Sequence, residues 1–473
     1  MISRRGVIKA TVGLSLAGAG VAVGRWGVAS PPPSKDGADV ATLMRRVFES
    51  LSEEARAAAM VPFDHPHRQY YNRGLSLGGV MVAPGSLGWS GRRDLAALAN
   101  ASLSAAGPDR VFGQGLPTWS GVNFTHLLFC GDPRGSGSCQ AILSTTHLNL
   151  RLGGKTVEGA AFGGAQVYGD QRGDNLDGLP GNVFRYQMEH AHRLIASLSP
   201  GERAAVRVDR APAQTNIGLQ GEQGRFDGLA VGNLSASQRA LARATVGSIF
   251  DTYSEGDAAY AWECLERNGG IDALHFADYA IDFQEDQRRF GDAPSQVFRF
   301  EGPAAVLHFR GYPHLHAFLN VAMDGERPQG IGEQLAVNPR RLEGEDLRVW
   351  FEAAMRSQAR ADVAIYPAWN LVGRLREGPV TTGDVWVAES WADELVVIET
   401  LGSDLSPALA KALRSRGTEP QSGRTYRVAL PGYLVRGEAG RQTMRIAAQR
   451  SLGPLRDALA VELRTHGFIS ATA

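Results

Sequence analysis

Lysine is almost absent from this chain: Lys9, Lys35, Lys155 and Lys411 are the four among 49 basic residues, and the rest are arginine. Net charge is absent too, because 49 acidic residues balance the basic ones. A nucleic-acid polymer or an anionic membrane surface is met by a basic excess, so neither is the expected partner. Cysteine is scarce, and three residues allow at most one disulfide and a free thiol. No apolar run is long enough to favour a membrane span, since Ala10 to Gly24 is short and glycine-rich. There is no P-loop and no H-E-x-x-H. Gly74-Leu75-Ser76-Leu77-Gly78 spells a nucleophile elbow, but the strand-like Val80-Met81-Val82 follows where a helix is needed. What the chain has instead is glycine: 57 residues, well above the usual share of about 7%, which implies many turns and close backbone approaches.

Its amino terminus reads as an address. Ser3-Arg4-Arg5-Gly6-Val7-Ile8-Lys9, an uncharged run and then Val28-Ala29-Ser30 before Pro31-Pro32-Pro33 resemble a twin-arginine export signal over residues 1–30. That resemblance implies the twin-arginine export machinery as a partner and a periplasmic or secreted destination. It also suggests loading of a cofactor before export. In an oxidising compartment Cys130 and Cys139, flanking a turn-rich loop, are expected to form a disulfide, and Cys264 to be buried and free.

Beyond the signal, apolar periodicity predicts helices from Val40, over 182–199, 235–253 and 257–268, and strands over 125–130, 141–152, 296–300, 304–310 and 314–321. This pattern predicts an α+β domain over 38–330, a mixed sheet with surrounding helices. Residues 325–340, rich in Gly, Pro and Asn, read as a linker. A second, smaller α/β domain is expected over 341–473, with strands over 362–366, 383–388, 394–400 and 426–431. Its last element, 444–466, reads as a helix broken at Gly453-Pro454.

Histidines on the expected strands carry the sharpest chemical signal. In Thr145-Thr146-His147-Leu148-Asn149, alternation puts His147 and Asn149 on one face, and in His314-Leu315-His316 both imidazoles share a face. Three such imidazoles can hold a divalent transition metal (Zn, Cu or Fe) with an open position that activates water. Hydrogen-bonded sheet histidines are the alternative. Asp64, in Asp64-His65-Pro66-His67, and Glu189 are candidate general bases.

Phe63-Asp64, Thr146-His147-Leu148-Asn149-Leu150, Thr156-Val157-Glu158-Gly159, Phe162-Gly163-Gly164-Ala165, Leu274-His275-Phe276-Ala277 and His314-Leu315-His316 together resemble the bacterial domain of unknown function 3500. The resemblance runs from about Ala38 to Gly330. It implies histidine-marked strands and no known reaction, and where its members carry paired histidines this chain has Thr146-His147.

Ala361-Asp362-Val363-Ala364-Ile365, Gly378-Pro379-Val380-Thr381-Thr382-Gly383-Asp384-Val385, Glu394 to Gly402 and Tyr426-Arg427-Val428-Ala429 resemble the carboxy-terminal domain of 5'-nucleotidases. That likeness implies binding of a small-molecule ligand by Arg374, Trp391 and Tyr433, the arginine on phosphate and the rings on a base. The catalytic half of that family has no counterpart, because no D-x-H followed by Gly-Asn-His-Asp occurs. The leading expectation is therefore an exported metal-dependent hydrolase acting on a nucleotide or other phosphoester. A non-catalytic binding protein and a redox copper or iron protein are the alternatives.

Overall fold

A computed structural model of the chain describes residues 39–68, 80–81, 86–113, 125–145, 147–152, 157–169, 183–209, 211–212, 214–280, 297–311, 315–325, 331–367, 371, 374–389, 393–436 and 448–467. They divide into two compact units, one within 27–329 and the other from Gly330 onward. The expected signal at 1–30 lies outside the described residues.

The first unit opens with helix α1 (Val40–Glu49), whose Asp39 side chain accepts the Thr42 N–H at 2.8 Å and whose Leu43, Met44, Val47 and Phe48 are buried. Next come α2 (Glu53–Ala59), α3 (Gly88–Ala101), α4 (Arg185–Ser197), α5 (Pro200–Val206), α6 (Ala236–Phe250) and α7 (Glu255–Arg267). Ser235 and Gln238 close a capping box that fixes where α6 begins.

Its strands are β1 (Met60–Val61), β2 (Val80–Met81), β3 (His126–Cys130), β4 (Gln140–Thr145), β5 (Leu148–Leu152), β6 (Gln166–Gly169), β7 (Arg207–Val208), β8 (Leu229–Ala230), β9 (His275–Tyr279), β10 (Val297–Gly302), β11 (Ala305–Arg310) and β12 (His316–Val321). Among the described residues these twelve form one mixed sheet in the order β1-β3-β4-β5-β6-β12-β11-β10-β9-β7, with β2 on β3 and β8 on β9. β1 and β7 pair in parallel with β3 and β9; the central ladders are antiparallel. The single strand expected over 141–152 is a tight hairpin, because Thr145 pairs with Leu148 and His147 falls in the turn.

Alternation along each strand sends side chains to two chemically different faces. Leu127, Leu143, Leu150, Phe298, Phe309 and Leu319 join the large core that includes Phe48, Met188, Ala191 and Val246 of the helices. The opposite face carries polar groups, several of them fully buried. The 214–220 segment, which opens in a turn, crosses its β10–β12 part: Arg299 donates to the Asn216 carbonyl at 2.7 Å, Asn320 to the Ile217 carbonyl at 3.0 Å, and Gln220 to Glu301 at 2.6 Å.

The second unit contains strands β13 (Gln334–Asn338), β14 (Leu342–Glu343), β15 (Val363–Ala364), β16 (Arg374–Leu375), β17 (Gly378–Thr381), β18 (Glu394–Leu401), β19 (Thr425–Pro431) and β20 (Ala448–Pro454). Its helices are α8 (Gly344–Ala359), α9 (Thr382–Ala388), α10 (Pro407–Arg414), α11 (Gly432–Arg436) and α12 (Leu455–His466). A sheet ordered β15-β19-β18-β20 has two packed faces, one against Leu347, Phe351 and Leu459 of α8 and α12, the other against Leu409 and Leu413 of α10. The whole is an α+β architecture with a smaller α/β unit.

Three local expectations change. Within the expected linker, 334–338 is a strand paired with β17. Residues 382–388 form a helix, because Thr381 and Asp384 close a capping box at its start. Residues 448–454 are strand rather than helix, paired with the central β18.

The disulfide is also corrected: Cys130, Cys139 and Cys264 are all free and buried. Cys130 pairs with Gln140, so Cys139 is one residue out of step. Cys139 belongs to the helix-side core, whereas Cys130 packs with Leu128 and Ile142 on the other face. Burial pushes the Cys130 thiol up to about 11 and Cys139 up to about 12, so both stay protonated at neutral pH. Unfolding the purified protein without reductant in excess iodoacetamide is expected to label all three cysteines. Peptides carrying Cys130 and Cys139 that stay unlabelled until reduced would contradict this arrangement.

Candidate functional site

The register aligns the polar face in rows. His147, one residue beyond the β5–β6 ladder, stands in line with Gly169; Gly169 pairs with His316, and His316 with Arg310. A second row runs His126, Ser144, Asn149, Val167, Phe318, His308, Arg299.

Glycine between the two histidines has a physical reason. A Cβ at position 169 would lie 2.5 Å from the Leu315 carbonyl oxygen and 3.1 Å from Cδ2 of His316. With no side chain there, the His147 and His316 rings meet across β6 with centroids 4.8 Å apart and planes at 65°.

Arg310 completes the group. Its Nη2 lies 2.9 Å from His316 Nδ1, and the Gln214 Oε1 is 3.2 Å from the same nitrogen. The guanidinium can only donate, which asks that nitrogen to accept, whereas the Gln214 amide oxygen asks it to donate, and the same Nη2 is 3.5 Å from Nε2, so these contacts do not fix the His316 tautomer. His147 is half-buried by surface area, yet the protein packed around it holds its pKa down to about 4, burial being the main cause and Arg310 the second. At neutral pH His147 is an uncharged imidazole.

Further along the same face lies a buried ion pair. Arg299, 2% exposed, donates from Nε to Glu301 Oε2 at 2.7 Å. His308, directly opposite Arg299, is 2% exposed, and burial with two guanidinium neighbours, Arg299 and Arg310, holds it neutral. His126 on β3 is likewise shifted down by burial. None of His126, Arg299, Glu301, His308 or Arg310 was singled out in the sequence. The signal was present: His308 and Arg310 alternate with Leu307 and Phe309, as Arg299 and Glu301 alternate with Phe298 and Phe300.

The expected site residues divide as follows. His147 and His316 come together, and His314 lies outside the described residues. Among the described residues no three of His, Cys, Asp and Glu are grouped to hold a metal ion. Glu189 does not join them. It is exposed on α4 and ion-paired with Arg185 at 3.1 Å, and that helix packs on the opposite sheet face, where Gln187 meets the Tyr168 hydroxyl at 3.0 Å. Asp64 is exposed in a turn next to Phe63, which packs beside Leu128 on the polar-face side, at the β3 end of the sheet. The neighbouring His65 and His67 rings are 4.7 Å apart, joined by the His67 N–H donating to His65 Nδ1 at 3.1 Å.

In the second unit Arg374 is half-buried on β16 opposite Glu343, and Tyr433 is the second residue of α11, its backbone N–H donating to the buried Asp393 at 2.8 Å. Burial and the nearby Asp393 and Glu389 push the Tyr433 hydroxyl well above its ordinary range. Trp391 lies outside the described residues. Close by in sequence, Glu389 and Arg456 form a buried pair at 3.3 Å, and the Arg456 guanidinium lies 4.4 Å from the Trp386 ring centroid.

Residues 323–426 match the family model described as 5'-nucleotidase, C-terminal domain. Among solved structures, the chain is similar to the 5'-nucleotidase precursor from Thermus thermophilus, at 13% identity over 37% of this chain and 48% of that one, with a TM-score of 0.27. It is also similar to a putative 5'-nucleotidase from Staphylococcus aureus in complex with alpha-ketoglutarate, at 11% identity over 37% of this chain and 49% of that one, with a TM-score of 0.22. The chain thus spans about half the length of the structures it matches. No curated protein matches. The 38–330 resemblance to domain of unknown function 3500 has no counterpart in these matches. No helix among the described residues is long and apolar enough to cross a membrane.

Two outcomes follow from the histidine geometry. His147 binds a proton in the unfolded chain near pH 6.5 but in the fold only near pH 4. Stability is therefore complete above pH 6.5 and falls as the pH drops toward 4, by up to about 1.4 kcal/mol per pH unit for each such histidine. Urea unfolding across that range is expected to show a shallower decline in His147→Gln; an identical decline would contradict the assignment. Gly169→Ala is expected to cost about 1–3 kcal/mol through overpacking, read as a lower urea midpoint.

Proposed function

We propose that this chain is an exported phosphoester hydrolase whose reaction centre is the His147–His316–Arg310 group on the polar sheet face. The observation that carries the reading is the meeting of two imidazoles and a guanidinium across Gly169. The 5'-nucleotidase C-terminal-domain match at 323–426 supports a phosphoester as the substrate class; within the second unit, Arg374, Trp391 and Tyr433 are the residues for a nucleotide-like ligand. Export rests on the twin-arginine segment at residues 3–9.

The Arg310 guanidinium donates to the phosphoryl oxygens, joined by the His316 ring nitrogen that carries the proton. Water attacks phosphorus, its proton passes to neutral His147, the P–O ester bond breaks, and the leaving oxygen takes a proton from solvent. An imidazole with a pKa near 4 is a weak base. A phosphate dianion set against Arg310 offsets the guanidinium's part of that shift, the smaller one after burial, and strengthens the base.

A divalent metal, expected from the histidine pattern, fits the described residues poorly. Arg310 sets a fixed positive charge 2.9 Å from His316 Nδ1, which opposes a second cation at the same ring. No third ligand of the described set stands with the pair. No step is routed through a metal here.

Release of inorganic phosphate from a panel of phosphomonoesters, nucleoside monophosphates included, tests the reading. Hydrolysis is expected to survive EDTA, and His147→Gln or His316→Ala to lower kcat/KM by about 10²-fold or more. Failure of every ester, or full activity in both variants, would overturn it. Loss of activity in EDTA with recovery in Zn²⁺ would replace it with a metal centre that includes His314.

A further inference from the structure

We propose that Arg299, His308, Asn320 and Thr215 form a second, inner site on the same sheet face, which takes one hydrogen-bearing oxyanion of the phosphate class. It stands on its own residues and does not require the hydrolytic reading.

The four residues are placed together by register and by the covering segment. Arg299 and His308 are directly opposed across β10 and β11. Asn320 pairs with Val306, one diagonal step from His308 on the neighbouring strand. Thr215 precedes Asn216, whose carbonyl accepts from Arg299 Nη2 at 2.7 Å, so the 214–220 segment lies over this row. The side chains are 2%, 2%, 5% and 4% exposed. Among the described residues each keeps a buried atom without a hydrogen-bond partner: Arg299 Nη1, His308 Nδ1, Asn320 Oδ1 and Thr215 Oγ1. Buried polar groups in folded proteins are nearly always paired, so several in one place mark where a polar ligand belongs.

Their chemistry narrows the ligand. Arg299 Nη1 can only donate, and the hydroxyl of Thr215 and the ring nitrogen of His308 serve either role. Asn320 Nδ2 already donates to the Ile217 carbonyl at 3.0 Å, which fixes the remaining atom, Oδ1, as an acceptor. Glu301 and Asp227, which accepts the Tyr279 hydroxyl at 2.9 Å beside the same row, stand against the guanidiniums of Arg299 and Arg310, so the ligand is selected by the unpartnered groups rather than by net charge. An anion facing Asn320 Oδ1 must bring its own hydrogen. Hydrogen phosphate and dihydrogen phosphate do; sulfate at neutral pH does not, and it would set its lone pairs against a buried carbonyl. Free phosphate and the phosphoryl end of an ester share this chemistry.

Calorimetric titration of the full chain at constant ionic strength tests the site with inorganic phosphate, sulfate and glycerol phosphate. Phosphate is expected to bind at least tenfold more tightly than sulfate. His308→Leu should remove this binding, while His316→Ala keeps it. Removing a buried nitrogen that has no partner should leave His308→Leu folded. If it does not fold, the nearly isosteric Thr215→Val carries the same expectation. Glycerol phosphate competing with phosphate in His316→Ala assigns the site to esters, and no competition assigns it to the free ion. Equal binding of sulfate, or phosphate binding unchanged in both His308→Leu and Thr215→Val, would overturn the inner site. Phosphate binding lost only in His316→Ala would overturn it too, and would leave the hydrolytic centre standing.

Discussion

A wide sheet has two faces, and in the first unit both carry buried residues while only one is apolar. That constraint governs the first unit. The helix-covered face gains its stability from ordinary packing, with Phe298 stacked 4.8 Å from Phe309 and Phe48 set edge-on to Phe129 at 5.1 Å. On the other face every polar group taken from water needs a partner. The 214–220 segment supplies part of that need through backbone carbonyls, and Glu301 accepts from Arg299 Nε. Burial first, and the guanidinium neighbours second, hold His147 and His308 uncharged, and the arginines of this face make anions its natural visitors.

How much of this was legible depends on the kind of signal. Alternation put His147 on a face with Asn149 and His316 on a face with His314, and the His147 and His316 rings do meet, although His147 stands in the turn before β5 rather than on a strand. It could not show that a glycine strand would lie between them, because Gly169 and His316 are far apart in sequence and join only through the ladder. The same alternation marked His308, Arg310, Arg299 and Glu301, but attention to histidine pairs hid the arginines that share their rows. Glu189 misled because a helix position was read without knowing which sheet face the helix covers. The cysteines misled in a similar way: a turn brings two chain segments together, but a one-residue offset sends the thiols to opposite sides.

In the second unit, local chemistry and tertiary pairing each overrode composition. Thr381 and Asp384 cap a helix in a stretch whose valines suggested a strand. Ala448–Pro454 has little apolar pattern and is a strand because β18 offers it a free edge. Asp393 ties this unit together in a small space, accepting the N–H groups of Glu394 and Tyr433 through its side chain and that of Leu455 through its carbonyl. That buried anchor fixes where the helix of Tyr433 starts, which matters if the tyrosine is to meet a ligand. The match to the 5'-nucleotidase C-terminal domain belongs to this part of the chain, whereas the histidine rows belong to the first unit.

The central claim is that the polar face of the large sheet is where this protein meets an oxyanion. Anomalous diffraction from crystals of the full chain soaked in tungstate tests it most directly. Tungsten is expected within contact distance of Arg310 and the His147–His316 pair. Ordered tungsten found only on the helix-covered side of the sheet, or only in the second unit, would contradict it.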